Sequence, residues 1–294
     1  MKQLVILSGK GGTGKTTLAV SLIKLSKNKM FADCDVDAPN VKLIFENNEI
    51  LEEKPYFGLK KAFKYDDICI DCGKCEELCR FNAIKDGVVN INYCEGCGVC
   101  ERFCPVTDDK GRKAIRMEDD SSGTTRVEKL NNEFFSNANL KIGNGASGKL
   151  VTEVRKNMYS FKTNEELAII DGSPGIGCPV IASLTGIEYC ILVAEPSISG
   201  IHDMIRILET SRSFNTKCFI VVNKYDNNFE KTKEIEKIAK EKNIEILGKI
   251  PFDKSVVKIT NEGKPVVDNP DTKAAKEIIG IWNKLKNRLD LENQ

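Results

Sequence analysis

The sequence predicts an α/β fold, a mostly parallel sheet flanked by helices, interrupted by a small α+β insert. Three observations carry this. Short, unbroken apolar runs recur at 167–170, 190–194 and 218–222, and each reads as a strand buried on both faces. The first residues read strand, glycine-rich turn, helix, strand, the opening of a parallel sheet. Eight of the 12 cysteines fall between Cys69 and Cys104, where long periodic segments stop.

The first strand is Gln3-Leu4-Val5-Ile6-Leu7. It runs at once into Ser8-Gly9-Lys10, too short a run for a signal peptide. No apolar run approaches the about 18–20 residues that span a bilayer. The expectation is a cytoplasmic protein without stable membrane insertion. Lys and Arg number 44 against 43 Asp and Glu, a net charge of +1, which does not suggest a nucleic-acid partner. Lys24, Lys27 and Lys29 read as solvated helix surface.

After the strand, Gly9-Lys10-Gly11-Gly12-Thr13-Gly14-Lys15-Thr16 fits G-x-x-x-x-G-K-S/T, with a helix expected over 15–27. Glycines let backbone N–H groups turn toward phosphate oxygens, and the helix N-terminus adds its positive dipole end. Gly9, Gly11, Gly12, Thr13, Gly14, Lys15, Thr16 and Thr17 are the expected nucleotide contacts. Lys15 would reach the β- and γ-phosphates and the Thr16 hydroxyl would ligate Mg²⁺. A second lysine, Lys10, sits inside the loop. This form resembles the deviant P-loop ATPases of the MinD/Mrp/nitrogenase-iron-protein superfamily. The resemblance implies a P-loop NTPase fold and a homodimer in which Lys10 reaches the partner's nucleotide.

The next strand, Lys29-Met30-Phe31-Ala32, leads into Asp33, Asp35 and Asp37. That is the carboxyl end of a strand, where α/β sheets place their ligands. By resemblance Asp35 positions the attacking water and Asp33 lies near the Mg²⁺ shell; Asp37 is extra. Asp171-Gly172-Ser173-Pro174-Gly175 follows another apolar run and resembles the family's second switch. The resemblance makes Asp171 the Walker B acid and gives the Gly175 N–H to the γ-phosphate. Asn223-Lys224-Tyr225-Asp226 matches the N-K-x-D of GTPases literally, which leaves ATP and GTP open on the motif. The resemblance favours ATP, with Asn223 reading the base.

The cysteines are spaced Cys69-x2-Cys72-x2-Cys75-x3-Cys79 and Cys94-x2-Cys97-x2-Cys100-x3-Cys104-Pro105. This is the two-cluster bacterial ferredoxin spacing, given twice. The fourth cysteine of each run serves the other cluster. One 4Fe-4S cluster therefore takes Cys69, Cys72, Cys75 and Cys104, and the second takes Cys94, Cys97, Cys100 and Cys79. Zinc sites pair two C-x2-C elements across a longer gap, which this is not. Gly73, Gly96 and Gly98 let the backbone curl and aim N–H groups at sulfur. Arg80 stands where a ferredoxin often has Pro.

The expected organisation is residues 1–60 and 108–294 as a P-loop ATPase domain and 61–107 as a bacterial-ferredoxin-like insert. Helices are expected at 148–158, 200–212 and 229–242, and a last helix carrying Ile278, Ile281, Trp282, Leu285 and Leu289 should dock on the domain. Cys34, Cys190 and Cys218 read as core. Cys178 stands at the offset of a cluster-binding cysteine of the nitrogenase iron protein, but the C-P-x-C pair of Mrp-type carriers is absent. The leading reading is an ATPase coupling nucleotide state, with Mg²⁺, to low-potential electron transfer through two 4Fe-4S clusters. Its partners are a redox donor or acceptor. The alternatives are an iron–sulfur carrier serving an apo target, and a MinD-like positioning protein with structural clusters.

Overall fold

Strands covered on both faces need continuous apolar stretches, and the sheet forms where those stretches lie. The computed structural model describes residues 1–43, 45, 49–130, 132–141 and 147–291. In chain order it begins with β1 (Lys2–Ser8), α1 (Lys15–Leu25), β2 (Lys29–Asp33) and β3 (Glu49–Phe57). A stretch of short elements follows: β4 (Lys61–Lys64), α2 (Lys74–Glu77), β5 (Ile84–Lys85), β6 (Val88–Val89), α3 (Val99–Phe103) and β7 (Ile115–Glu118). Then come β8 (Ser121–Leu130), β9 (Glu133–Leu140), α4 (Gly148–Ser160), β10 (Leu167–Asp171), α5 (Cys178–Leu184) and β11 (Tyr189–Ala194). The chain continues through α6 (Ile198–Ser213), β12 (Lys217–Asn223), α7 (Phe229–Glu241), β13 (Glu245–Ile250), α8 (Lys254–Asn261) and α9 (Lys273–Arg288).

The chain divides into two compact units. The first comprises Met1–Glu53, Thr125–Asn139 and Ala146–Gln294. Its sheet runs β13-β12-β11-β1-β10-β2-β9-β8-β3. From β13 through β9 every neighbouring pair is parallel, with Leu4 opposite Ile169 on one side and Tyr189 on the other. Alternate residues build one face of the core: Leu4, Ile6, Phe31, Ile169, Ile191 and Phe219 pack with Leu18 and Leu22 of α1 and with Ile278, Trp282 and Leu285 of α9. The last helix is thus docked, as its spacing predicts; Leu285 and Leu289 are fully buried. Its N-terminus is capped by Thr272, whose hydroxyl accepts from the Ala275 N–H at 3.2 Å. Among the described residues no helix is long and apolar enough to cross a membrane.

Lys29 corrects the sequence reading. It opens β2 and is buried, because its ammonium donates to Glu133 Oε1 at 2.5 Å and to the Ser26 carbonyl at 2.8 Å. Local charge density suggested solvated helix surface, whereas a distant carboxylate draws this lysine inward. β3, β8 and β9 were not expected, since their polar residues, several of them buried in β8 and β9, interrupt the apolar continuity of the central strands.

The second unit comprises Lys54–Thr124 and Leu140–Gly145, wider on both sides than the cysteine-dense stretch. It holds two small antiparallel pairs, β4 with β7 and β5 with β6, and the short helices α2 and α3, which pack together. The two helices start alike. Gly73 (φ 72°) precedes α2 and Gly98 (φ 72°) precedes α3, both in the left-handed region that glycine enters without cost. Ala62, Ala83, Ile84 and Ile115 form a small core, with five of the cysteines in or against it.

Candidate functional site

Parallel order puts the loops after β1, β2, β10, β11 and β12 on one edge of the sheet, the carboxyl edge where such folds bind ligands. The loop after β1 is the phosphate loop. Space there is tight: a Cβ on Gly14 (φ 93°) would sit 2.2 Å from Asn223 Nδ2, and one on Gly9 would sit 2.2 Å from Asp203 Cβ. The loop closes on itself through the Lys10 carbonyl, which accepts from Ser8 Oγ at 2.9 Å and Thr13 Oγ1 at 2.8 Å.

Lys15 is the first residue of α1 and only 5% exposed. Its Nζ lies 2.7 Å from Asp171 Oδ1 and 3.4 Å from Asp35 Oδ2. The Thr16 hydroxyl donates to Asp171 Oδ2 at 2.7 Å. Lys15, Thr16, Asp35 and Asp171, placed far apart in sequence, therefore meet at one point. Burial opposes the Lys15 charge, but Asp171 and Asp35 outweigh it and hold the ammonium above its ordinary range. Burial also raises the Asp35 carboxyl, against the pull of Lys15. Asp33 faces inward: its Oδ1 accepts from the Asp35 N–H and its Oδ2 from the Val41 N–H, both at 3.1 Å. Complete burial, and next the charge of Asp171, push its carboxyl up to about 8.

A cavity of about 450 Å³ opens over this cluster, lined by Gly11, Gly12, Gly14, Lys15, Thr16, Thr17, Asp35, Asp37, Ser173 and Pro174 among others. Lys10, on its rim, is 40% exposed and pairs with Glu195 at 3.3 Å, donating also to Ser197 Oγ at 3.4 Å. Glu195 bridges it to Lys224, 3.4 Å away. Gly175 (φ 97°) holds the turn expected of it, but its N–H donates to the Ser8 carbonyl at 2.9 Å and is not turned to the cavity.

A second cavity, about 220 Å³, lies beside the loop, between Gly12, Gly14, Thr17, Asn223 and Lys224 on one side and Pro251, Phe252, Asp253, Val256 and Val257 on the other. Sequence reasoning singled out Asn223 but not the far wall, which comes from the segment after β13. Its one legible signal was Pro-Phe-Asp directly after a strand. Asn223 Nδ2 donates to the Thr13 carbonyl at 2.7 Å, tying the end of β12 to the phosphate loop. Asp226 Oδ1 accepts the Phe252 N–H at 2.7 Å.

In the second unit the eight clustered cysteines sort into two groups. Cys69, Cys72, Cys75 and Cys104 line a cavity of about 230 Å³. Cys79, Cys94, Cys97 and Cys100 line a tighter one of about 20 Å³. In each group three cysteines of one run are joined by the last cysteine of the other. Backbone N–H groups of Asp71, Ala62 and Ala83 point at the sulfurs of Cys69, Cys94 and Cys79, each at 3.4 Å. Burial pushes the Cys100 thiol up to about 11 and raises Cys75. Among the described residues no group of three or more His, Cys, Asp or Glu is placed to hold a metal ion. Of the remaining cysteines, Cys34 and Cys190 are fully buried, Cys218 is only partly so, and Cys178 is exposed at the start of α5.

The comparisons with known proteins bear on the nucleotide-binding fold. The family model "CobQ/CobB/MinD/ParA nucleotide binding domain" matches residues 4–266. Uncharacterized protein MJ0578 of Methanocaldococcus jannaschii is 35% identical over 289 residues, covering 97% of this chain and 96% of that protein. The septum site-determining protein MinD of Bacillus subtilis is 24% identical over 92% of this chain and 84% of its own length. In fold, the chain is similar to Pyrococcus horikoshii MinD complexed with Mg-ADP, with a TM-score of 0.60 at 20% identity over 100% of this chain and 99% of that one. On its sheet, its phosphate loop and this match over most of its length, the chain belongs to the CobQ/CobB/MinD/ParA family of nucleotide-binding P-loop proteins.

Proposed function

We propose that the protein hydrolyses ATP and couples its nucleotide state to electron transfer through two 4Fe-4S clusters. The observation that carries the nucleotide half is the convergence of Lys15, Thr16 and Asp171 under the larger cavity. Lys15 would meet the β- and γ-phosphates, Thr16 and Asp171 would hold Mg²⁺ and its water, and Asp35 would orient the attacking water. Gly175 reaches a phosphate only by giving up its bond to Ser8, so the second switch would move as nucleotide binds. The smaller cavity suits a base, with the half-exposed Phe252 offered to its face. The family resemblance favours ATP over GTP, and Asp226 Oδ1 is engaged by the Phe252 N–H.

The observation that supports the redox half is the sorting of eight thiols into two nests of four. A single ion draws its ligands to within about 2.3 Å of one point. Four soft thiols spaced around a volume, with N–H groups aimed at sulfur, suit a cuboidal body held at its corners. The donor chemistry and the N–H contacts fit such a group in both nests, and the tighter one would have to open to take it. The group would supply one-electron chemistry; the protein's own part is to present thiolates, orient N–H donors and exclude water. The insert leaves the chain after Asp35 and returns before Asp171, so both switches are tied to it covalently. Family resemblance through Lys10 supports a homodimer.

Cys178, exposed, favours one second reading, a carrier that passes a labile cluster to an apo target. Anaerobic redox titration followed by EPR, with ATP, GTP or no nucleotide, separates the two. Electron transfer predicts two chelator-resistant, reversibly reduced centres whose signals respond to ATP and not to GTP. Signals indifferent to nucleotide contradict coupling, and chelatable iron lost in Cys178→Ala favours the carrier.

A further inference from the structure

A second set of nucleophilic side chains lies at the other end of the same sheet. Cys190 and Cys218 are each the second residue of their strand, and in the parallel pairing of β11 with β12 they stand directly opposite one another. Cys190 is fully buried; Cys218 is partly open and lines a cavity of about 510 Å³ between α6, α7 and the starts of β12 and β13. The phosphate loop leaves β1 at the opposite, carboxyl edge, so this cavity is separate from the nucleotide site.

The charge around Cys218 is one-sided. Arg212, Lys217, Lys240 and Lys242 line the cavity, and the one carboxylate there, Glu245, is neutralised by two bonds from Arg288 at 2.8 and 3.0 Å. Four cations around the opening, three of them exposed, favour an anion over the floor. The sulfur at that floor donates to the Thr216 carbonyl at 3.7 Å, and Cys190 beside it, with the Arg212 charge, draws the thiol below its ordinary range against burial. Cys190, with its bond to Cys218 and its complete burial, is pushed the other way and remains a thiol. Of the two sulfurs, Cys218 is the one reached from the cavity.

We infer that Cys218 is a modification site at which a low-molecular-weight anionic disulfide, drawn in by the cationic cavity, leaves a mixed disulfide. The Cys218 thiolate attacks one sulfur of the disulfide R–S–S–R. A bond forms between Cys218 Sγ and that sulfur, the R–S–S–R bond breaks, and the second half departs as the thiolate R–S⁻. No net oxidant beyond the disulfide is consumed, and a thiol reverses the step. Cys190, opposite Cys218 on the neighbouring strand, is a positioning residue whose S–H would donate to the thiolate once it forms. Because it stays protonated it attacks the adduct slowly, so the mixed disulfide persists instead of closing to a Cys190–Cys218 bond.

The test uses the full chain, purified anaerobically, with oxidised glutathione as the anionic probe and cystamine as a cationic disulfide. Adducts are located by peptide mass mapping. The inference predicts a glutathione adduct on Cys218 and none on Cys190, formed about tenfold faster than the cystamine adduct. Neutralising the rim with Lys217→Gln and Lys240→Gln should bring the two rates together. Cys190→Ala should shift the pH profile of Cys218 modification upward, a readout that packing alone would not move. Equal rates with both probes, an unmodified Cys218 where Cys178 reacts, or a Cys190–Cys218 disulfide in place of the adduct would each overturn it.

Discussion

Lys15 and Asp171, 156 residues apart in sequence, meet at 2.7 Å with the lysine 5% exposed and the aspartate fully buried. A buried pair of this kind is weak evidence of stabilisation, because removing two charges from water costs most of what their attraction returns. Its value is positional: the acid holds the lysine where phosphates would take over. Asp171→Asn leaves Lys15 with a weakened partner and should destabilise the nucleotide-free protein by about 3 kcal/mol in a denaturant titration. Lys15→Ala should lower hydrolysis by about a hundredfold or more, in a steady-state assay, without changing the iron content.

Lys10 is held differently. Its pair with Glu195 is half in solvent, and such pairs contribute about 0–1 kcal/mol, little enough to be given up when a second copy offers a phosphate. Lys10→Ala should therefore leave nucleotide binding by the monomer nearly intact and abolish ATP-dependent dimerisation in sedimentation velocity. Dimers forming unchanged in that variant would remove Lys10 from the interface.

Asp33 gives the fold a pH dependence. Its carboxyl is raised from 3.8 to about 8 in the folded protein, so between those values the folded state holds a proton that the unfolded state has released. The contribution is complete below the unfolded value and is lost as pH rises toward 8. Thermal unfolding of the nucleotide-free protein should thus show stability declining across this window, and Asp33→Asn, which cannot ionise, should flatten the decline.

The docked last helix makes a separate prediction. Leu285 is fully buried in the cluster that joins α1, α9 and the sheet. Leu285→Ala should cost about 2–5 kcal/mol in denaturant unfolding.

Much of this was legible because local chemistry dictated it. The phosphate loop needs its glycines and lysine in a fixed order, and the central strands need unbroken apolar runs, so both stand out along the chain. The eight cysteines stand out by their spacing, and two cavities are each lined by three cysteines of one run and the last of the other. What sequence hid depends on distant partners. Lys29 turns inward only because Glu133 waits there. Gly175 is committed to Ser8, Lys10 to Glu195, and the base-side wall at Phe252 is brought in by the turn after β13. Cys218 read as core because the residues after it are apolar, while part of the cavity beside it comes from the end of α7 and the start of β13, more than 20 residues on.

Iron and acid-labile sulfide counted per chain in anaerobically purified protein bear most directly on the shared nucleotide-and-cluster reading. Two cuboidal centres predict about eight of each, with the count roughly halved in Cys104→Ser or in Cys79→Ser as one nest is lost. Colourless protein without iron, or protein carrying zinc, would contradict it.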